Sequence, residues 1–412
     1  MLPLNSIATA FALFTIALSA SVRAEAPIPK AATPEEVGLS SPQLARIEAT
    51  SRALVDAGTV PGVQMLVARK GKIAWQATIG YRDAAAKDPL PADAIYRIYS
   101  MTKPITSAVA MMLVEEGRLQ IFDPVAKYLP EFAQMKVGTE KPSGEGKPTL
   151  ELSAPARPMT IQDLLRHTSG LTYAEFGKGL VHDLYKEAGV GSYGQNNAQF
   201  AAAIAKMPLR FSPGTRWEYG RSTDVLGRVI EVIEGKPLSE VLAARVFTPL
   251  GMTDTEFHLP ESKLKRAVSP KLAGYYDMGQ KYAFEGGGEG LTSTMEDYLK
   301  FCVMLLRNGT GNGKRLLGSQ TVSWMTSDHL GATPGFFPGQ GFGLGFAVRT
   351  RSGEAGIPGS VGEYGWAGYA GTLFWIDPSK DLIAIYMANI PGEVRGTPRT
   401  QFRSMLEAAL ID

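Results

Sequence analysis

Ser100 and Lys103 stand three residues apart at the head of an apolar segment, Ser100-Met101-Thr102-Lys103. In a helix, positions i and i+3 share a face, so the Lys103 amine can lie over the Ser100 hydroxyl. An amine desolvated in that place has a lowered proton affinity and can act as a base, which makes the serine a nucleophile for acyl transfer. A second Ser-x-x-Lys, Ser262 to Lys265, follows Pro260-Glu261 and leads into further charges with no apolar run behind it. It reads as an exposed turn, and Ser100 is the candidate nucleophile.

The element that must position this pair is a helix beginning near Ser100. Ile105, Val109, Met112 and Leu113 recur at helical spacing, Pro104 is tolerated only near the first turn, and Gly117 is placed to end the helix. A nucleophile at a helix N-terminus also gains from the partial positive charge there. Upstream, 62–69 and 72–77 are strand-like runs joined by Lys70-Gly71, a hairpin signal. Strand-like runs return at 343–348, 373–377 and 382–387, and 401–410 has the pattern of a closing helix. Helical segments dominate between, with 138–158, rich in Pro, Gly, Ser and Lys, read as a long surface loop. The expected fold is therefore α+β, an antiparallel sheet built from both chain ends and flanked by helices, with an inserted, mainly helical region. The expected division is a sheet domain of 25–116 and 235–412, a helical domain of 117–234, and a catalytic cleft between them.

Composition narrows the partners. The 412 residues are 44% hydrophobic and 20% charged, and 42 Lys plus Arg against 40 Asp plus Glu leave a net charge of +2. No basic run interleaved with aromatics is present to follow a phosphate backbone, so no nucleic acid partner is expected. Residues 1–24 read as a signal peptide. Ile7 to Leu18 is an apolar run of leader length, shorter than the roughly 20 residues of a membrane span, and Ser21 to Ala24 closes it with a cleavage pattern of small residues. The expectation is a periplasmic or secreted protein without a stable membrane anchor after cleavage.

Cys302 is the only cysteine and lies in an apolar helical pattern, which points to a buried structural thiol. The histidines His167, His182, His258 and His329 show no metal-ligand spacing, so no metal and no other cofactor are expected. Gly189 to Gly194 matches a dinucleotide-loop pattern but follows a polar helical stretch instead of a strand, and no Gly-x-Ser-x-Gly elbow occurs.

The ordered motifs carry a family resemblance. Ser100-Met101-Thr102-Lys103 is followed by Leu164 to Leu171 (LLRHTSGL), Trp217-Glu218-Tyr219, Asp224-Val225-Leu226-Gly227, Gly286 to Thr294 (GGGEGLTST) and Gly365-Trp366-Ala367-Gly368-Tyr369. Together these resemble the class C β-lactamase and penicillin-binding-protein-like serine hydrolases, and most closely the family VIII carboxylesterases. The resemblance implies that Tyr219 shares a proton with Lys103 and that together they deprotonate Ser100. It implies an oxyanion hole from the Ser100 and Tyr369 amides, with Gly368 permitting close backbone approach. It makes His167 part of a structural turn and the glycine run a cleft wall.

Two positions depart from the β-lactamase and peptidase pattern. Arg221 stands where Asn is usual, which leaves it open between carboxylate binding and an ion-pair or surface role, outside the assigned site. Trp366 stands where those enzymes carry a Lys or His that holds the substrate carboxylate. An indole offers an apolar face and one N–H, which suits a neutral acyl or alcohol group, so Trp366 and Gly368 are assigned to substrate binding. The expected activity is hydrolysis of a small-molecule carboxylic ester through an acyl-enzyme. A β-lactamase, a D-amino-acid peptidase or an acyltransferase uses the same residues, and a non-catalytic cell-wall binding or sensor protein is the reading from another class.

Overall fold

The computed structural model describes residues 27–411 apart from 145, 147, 270, 391–393 and 395. The leader expected at 1–24 lies outside the described residues. An eight-stranded sheet forms the frame, in the order β10 (Gln340–Phe342), β11 (Ala347–Arg349), β12 (Tyr364–Ala367), β13 (Leu373–Asp377), β14 (Leu382–Ala388), β1 (Gly62–Arg69), β2 (Lys72–Asp83) and β3 (Asp88–Pro89), all antiparallel. The two chain ends meet where β1 pairs β14, with Met65 opposite Tyr386. Lys70 and Gly71 both take positive φ, 50° and 73°, the backbone a two-residue hairpin needs to follow the strand twist.

Every residue of β1 and β14 is buried, because helices cover both faces of the sheet. Val63, Met65, Val67, Leu382, Ala384 and Tyr386 point to one face, where α1 (Ser41–Asp56) brings Leu44 and Ile47 and α5 (Gly396–Glu407) brings Phe402 and Leu406. Leu66, Ala68, Ile383, Ile385 and Met387 point to the other, into the larger core that holds α2 (Thr102–Glu115), α3 (Ser222–Glu234) and α4 (Met295–Leu306). This is the period-2 alternation of a strand buried on both sides. The α+β fold expected from the sequence is the one observed.

Two local expectations are corrected. Residues 138–158 are not simply a loop, since β5 (Val137–Lys141) pairs β6 (Thr149–Ser153) in a hairpin. The segment 343–348 is not one strand, because Gly345 turns at φ 102° against Ser107 and the chain forms β10 and β11 on either side. Two further ladders are short. β4 (Ile95–Arg97) pairs β7 (Thr292–Thr294), and β8 (Thr310–Gly311) pairs β9 (Lys314–Arg315). The first of these matters for the site, because it ties the chain entering Ser100 to the chain leaving the glycine run. Among the described residues, no helix is long and apolar enough to cross a membrane.

Candidate active site

Ser100 sits on a 3-10 turn, Tyr99–Met101, that runs straight into α2. Residues Thr102 to Leu113 of α2 are all buried, so the helix is fixed by packing on every side and holds Lys103 with no exposed surface. Tyr99 immediately before the serine takes φ 42°, a left-handed backbone that costs a non-glycine residue about 1–2 kcal/mol. Its ring is held by Tyr276 at 5.2 Å and by Tyr275 and Tyr369 at 5.7 Å, and that packing sustains the turn which presents the Ser100 hydroxyl.

The Lys103 ammonium donates to three acceptors, Ser100 Oγ at 3.1 Å, Tyr173 Oη at 3.1 Å and the Gly288 carbonyl at 2.7 Å. Tyr219 Oη donates to Ser100 Oγ at 2.6 Å and in turn accepts the Trp366 indole N–H at 3.2 Å. Lys103 Nζ also lies over the Tyr219 ring, 4.6 Å from its centroid. Ser100, Lys103, Tyr219 and Trp366 are thus brought together in one continuous set of hydrogen bonds.

A cavity of about 560 Å³ opens over Ser100, with Tyr99, Tyr173, Phe176, Tyr193, Tyr276 and Tyr369 among its walls. Trp366 does not line it. Its N–H is spent on Tyr219, and its ring packs edge-on against Phe342 at 5.2 Å. Gly368 lies behind the cavity wall, and its N–H bonds the Thr372 carbonyl at 2.8 Å. A Cβ on Gly368 would run into the Ile98 carbonyl and Thr372 Oγ1. Gly368→Ala is therefore expected to push the Gly368-Tyr369 backbone away from the Ser100 turn. The cost is about 1–3 kcal/mol of stability, measurable as a lowered Tm, together with a loss of ester turnover. An unchanged Tm and rate would show that the backbone has room to spare.

His167 is buried among aromatics, 4.9 Å from the Tyr219 ring and 5.5 Å from Phe342, and no partner meets its Nδ1 among the described residues. Burial, reinforced by the Lys103 charge, holds its pKa well below the ordinary imidazole value, so it is neutral. It takes φ 57° at a turn and its carbonyl accepts the Glu218 N–H at 3.0 Å.

Four residues of the site were not assigned from the sequence. Tyr173 bonds Lys103. Arg221, 6% exposed, pairs with Glu289 at 2.7 Å and with Asp224 at 3.4 Å, and its guanidinium stacks 4.6 Å from the Tyr173 ring centroid. Burial opposes the Arg221 charge, but the two carboxylates outweigh it and the group is held firmly protonated. Burial, with the neighbouring Glu289 adding to it, raises the Asp224 carboxyl above its ordinary value even though Arg221 and Lys103 pull it down. Asp224 Oδ1 accepts the Gly288 N–H at 2.8 Å. The i, i+3 spacing of Arg221 and Asp224 was a signal available in the sequence, but Tyr173 had none. Ser262, the serine of the second Ser-x-x-Lys, is exposed on a short helix, Glu261–Leu264, where the sequence suggested a turn.

The family model described as Beta-lactamase matches residues 47–406. This chain belongs to the beta-lactamase family. Within it, Protein Rv1367c of Mycobacterium tuberculosis (strain ATCC 25618 / H37Rv) is 36% identical over 364 residues, which cover 82% of this chain and 88% of that one. Esterase EstB of Burkholderia gladioli is 28% identical over 385 residues, covering 86% and 93%. In three dimensions the chain is similar to EstCE1, a hydrolase with promiscuous acyltransferase activity. The TM-score is 0.73 and the identity 24%, over 88% of this chain and 98% of that one. The resemblance read from the motifs therefore holds at the level of family and fold, and this beta-lactamase-family chain has an esterase among its relatives.

Proposed function

We propose that this chain is an exported serine hydrolase that cleaves carboxylic esters through an acyl-enzyme on Ser100. The observation that carries the reading is the contact of Ser100 Oγ with both Tyr219 Oη at 2.6 Å and Lys103 Nζ at 3.1 Å, at the edge of a large aromatic cavity. In the state where the Tyr219–Lys103 pair is one proton short, as amine with phenol or ammonium with phenolate, Ser100 attacks the ester carbonyl carbon and its proton passes to that pair. The tetrahedral oxyanion is held by the Ser100 and Tyr369 amides, and its collapse expels the alcohol, which takes the proton back. Water repeats the sequence on the acyl-enzyme and releases the acid. Trp366 steadies Tyr219 through its N–H.

Two features support a neutral ester over a β-lactam or a peptide carboxylate. Trp366 stands where a cation would be needed, and Arg221 already has both its acid partners. EstB, named an esterase, supports the same choice. Acyl transfer to an alcohol in place of water is a second reading. It is favoured by a cavity of about 560 Å³, which leaves room for an acceptor beside a small acyl group.

The test is to incubate the mature protein with p-nitrophenyl esters of increasing acyl length and, in parallel, with a chromogenic cephalosporin, following intact mass. Fast ester turnover with a Ser100 adduct and slow cephalosporin cleavage is the expected result. Faster cephalosporin cleavage would overturn the ester assignment, and silence in both assays without an adduct would overturn the hydrolase. Export is tested by mapping the N-terminus of protein recovered from outside the cytoplasm, which is expected to begin at Glu25.

A further inference from the structure

The acyl-transfer steps leave a buried group of charges beside Lys103 without a role. Arg221, Asp224 and Glu289 form a chain of ion pairs that starts at the cavity wall, where Glu289 lies, and ends beneath Lys103. The link to Lys103 is Gly288. Its carbonyl accepts the Lys103 ammonium at 2.7 Å, and its own N–H donates to Asp224 Oδ1 at 2.8 Å. A Cβ at Gly288 would lie 3.0 Å from Asp224 Oδ1 and 3.2 Å from Lys103 Nζ, so carboxylate and ammonium face each other across this one residue. Only glycine leaves that space open.

We propose that Asp224, oriented by Arg221 and Glu289, is a positioning residue for the reaction. It aims the Gly288 carbonyl at Lys103 and supplies the negative charge that sets how tightly the Lys103–Tyr219 pair holds its proton. The proposal rests on the reading of that pair as the base.

The groups around Lys103 make Asp224 the decisive one. Ser100 and Tyr173 offer hydroxyls, Tyr219 is the other half of the pair itself, His167 is neutral and buried among aromatics, and the glycine run offers a carbonyl. Of the two carboxylates, Glu289 is held at 2.7 Å by Arg221, whereas Asp224 shares Arg221 at the longer 3.4 Å and faces Lys103. Interactions in so enclosed a place are only weakly screened. A carboxylate there favours the protonated pair whether the proton sits on Lys103 or on Tyr219, so removing its charge makes the pair release a proton at lower pH.

The experiment measures kcat/KM against pH with p-nitrophenyl acetate for wild type, Asp224→Asn and Glu289→Gln, with intact mass to follow the Ser100 adduct. Asn keeps an acceptor for the Gly288 N–H, removes the charge, and gives up the long 3.4 Å contact with Arg221, because its NH2 cannot accept from a guanidinium. The acidic limb of the Asp224→Asn profile is expected to move down by about one pH unit, so that low-pH turnover relative to its own plateau rises about tenfold. Glu289→Gln, at the cavity wall, is expected to move the limb the same way by less, and serves alone if Asp224→Asn does not fold. A purely structural role would lower the plateau and leave the limb where it is. Superimposed limbs with a normal wild-type adduct would therefore overturn the role of Asp224. Absence of the adduct in wild type would instead overturn the underlying base assignment.

Discussion

Ser100→Ala is expected to lower ester turnover by about 10⁴-fold or more while leaving the fold intact. The size of the effect follows from what the hydroxyl does. It is the group that becomes covalently acylated, and neither Lys103 nor Tyr219 can reach a substrate carbonyl in its place without abandoning the hydrogen bonds that hold it. The small structural cost follows from the same bonds. Without Oγ, Lys103 keeps Tyr173 Oη and the Gly288 carbonyl, and Tyr219 keeps the Trp366 N–H. Two hydrogen bonds are lost, one from Lys103 and one from Tyr219, at about 1 kcal/mol each. The check is a Tm within a few degrees of wild type, together with the disappearance of both p-nitrophenol release and the acyl adduct seen by mass. A variant that keeps more than a tenth of the wild-type rate would remove Ser100 from the chemistry and return Ser262 or a bound water to consideration.

The spacing of Ser100 and Lys103 could be read from the chain because both lie within one turn, where sequence distance fixes spatial distance. The strands at the two chain ends were readable for a similar reason. Val63 to Ala68 and Leu382 to Met387 are apolar runs bounded by turn residues, and two such runs have few ways to be buried other than side by side. The hairpin at 137–153 was not readable, because β6 and the outer end of β5 are exposed. Val-Gly-Thr-Glu-Lys and Thr-Leu-Glu-Leu-Ser lie among Pro, Gly and Lys residues that carry the composition of a loop. The pairing of Arg221 with Glu289 spans 68 positions and depends on how α3 meets the glycine run, which no local pattern encodes. Trp366 shows the limit within a single motif. Its residue type suggested an apolar surface for substrate, and the sequence held no sign that its N–H is spent on Tyr219. That orientation comes from the register of β12, in which Trp366 lies opposite Phe374.

Tyr219→Phe is expected to lower kcat by about 10²–10³-fold with KM nearly unchanged, the signature of an interaction made in the transition state and not in substrate binding. The ring would stay in place, since it packs on Trp366 at 5.4 Å, Tyr173 at 5.3 Å and His167 at 4.9 Å, none of which depends on the hydroxyl. What is lost is the only phenol bonded to Ser100 Oγ among the described residues, together with the acceptor of the half-buried Trp366 N–H, whose orphaning adds about 1 kcal/mol of instability. Tyr173→Phe is the matching control. Its hydroxyl also bonds Lys103, at the same 3.1 Å as Ser100 does, yet no bond joins it to Ser100. If proton transfer runs through the oxygen that touches the nucleophile, Tyr173→Phe lowers kcat by about tenfold at most, because Lys103 loses one of three acceptors while the Ser100–Tyr219 contact survives. Equal losses in the two variants would mean that both phenols act only by holding Lys103. A larger loss in Tyr173→Phe would move the shared proton from Tyr219 to Tyr173, and with it the path by which Ser100 is deprotonated.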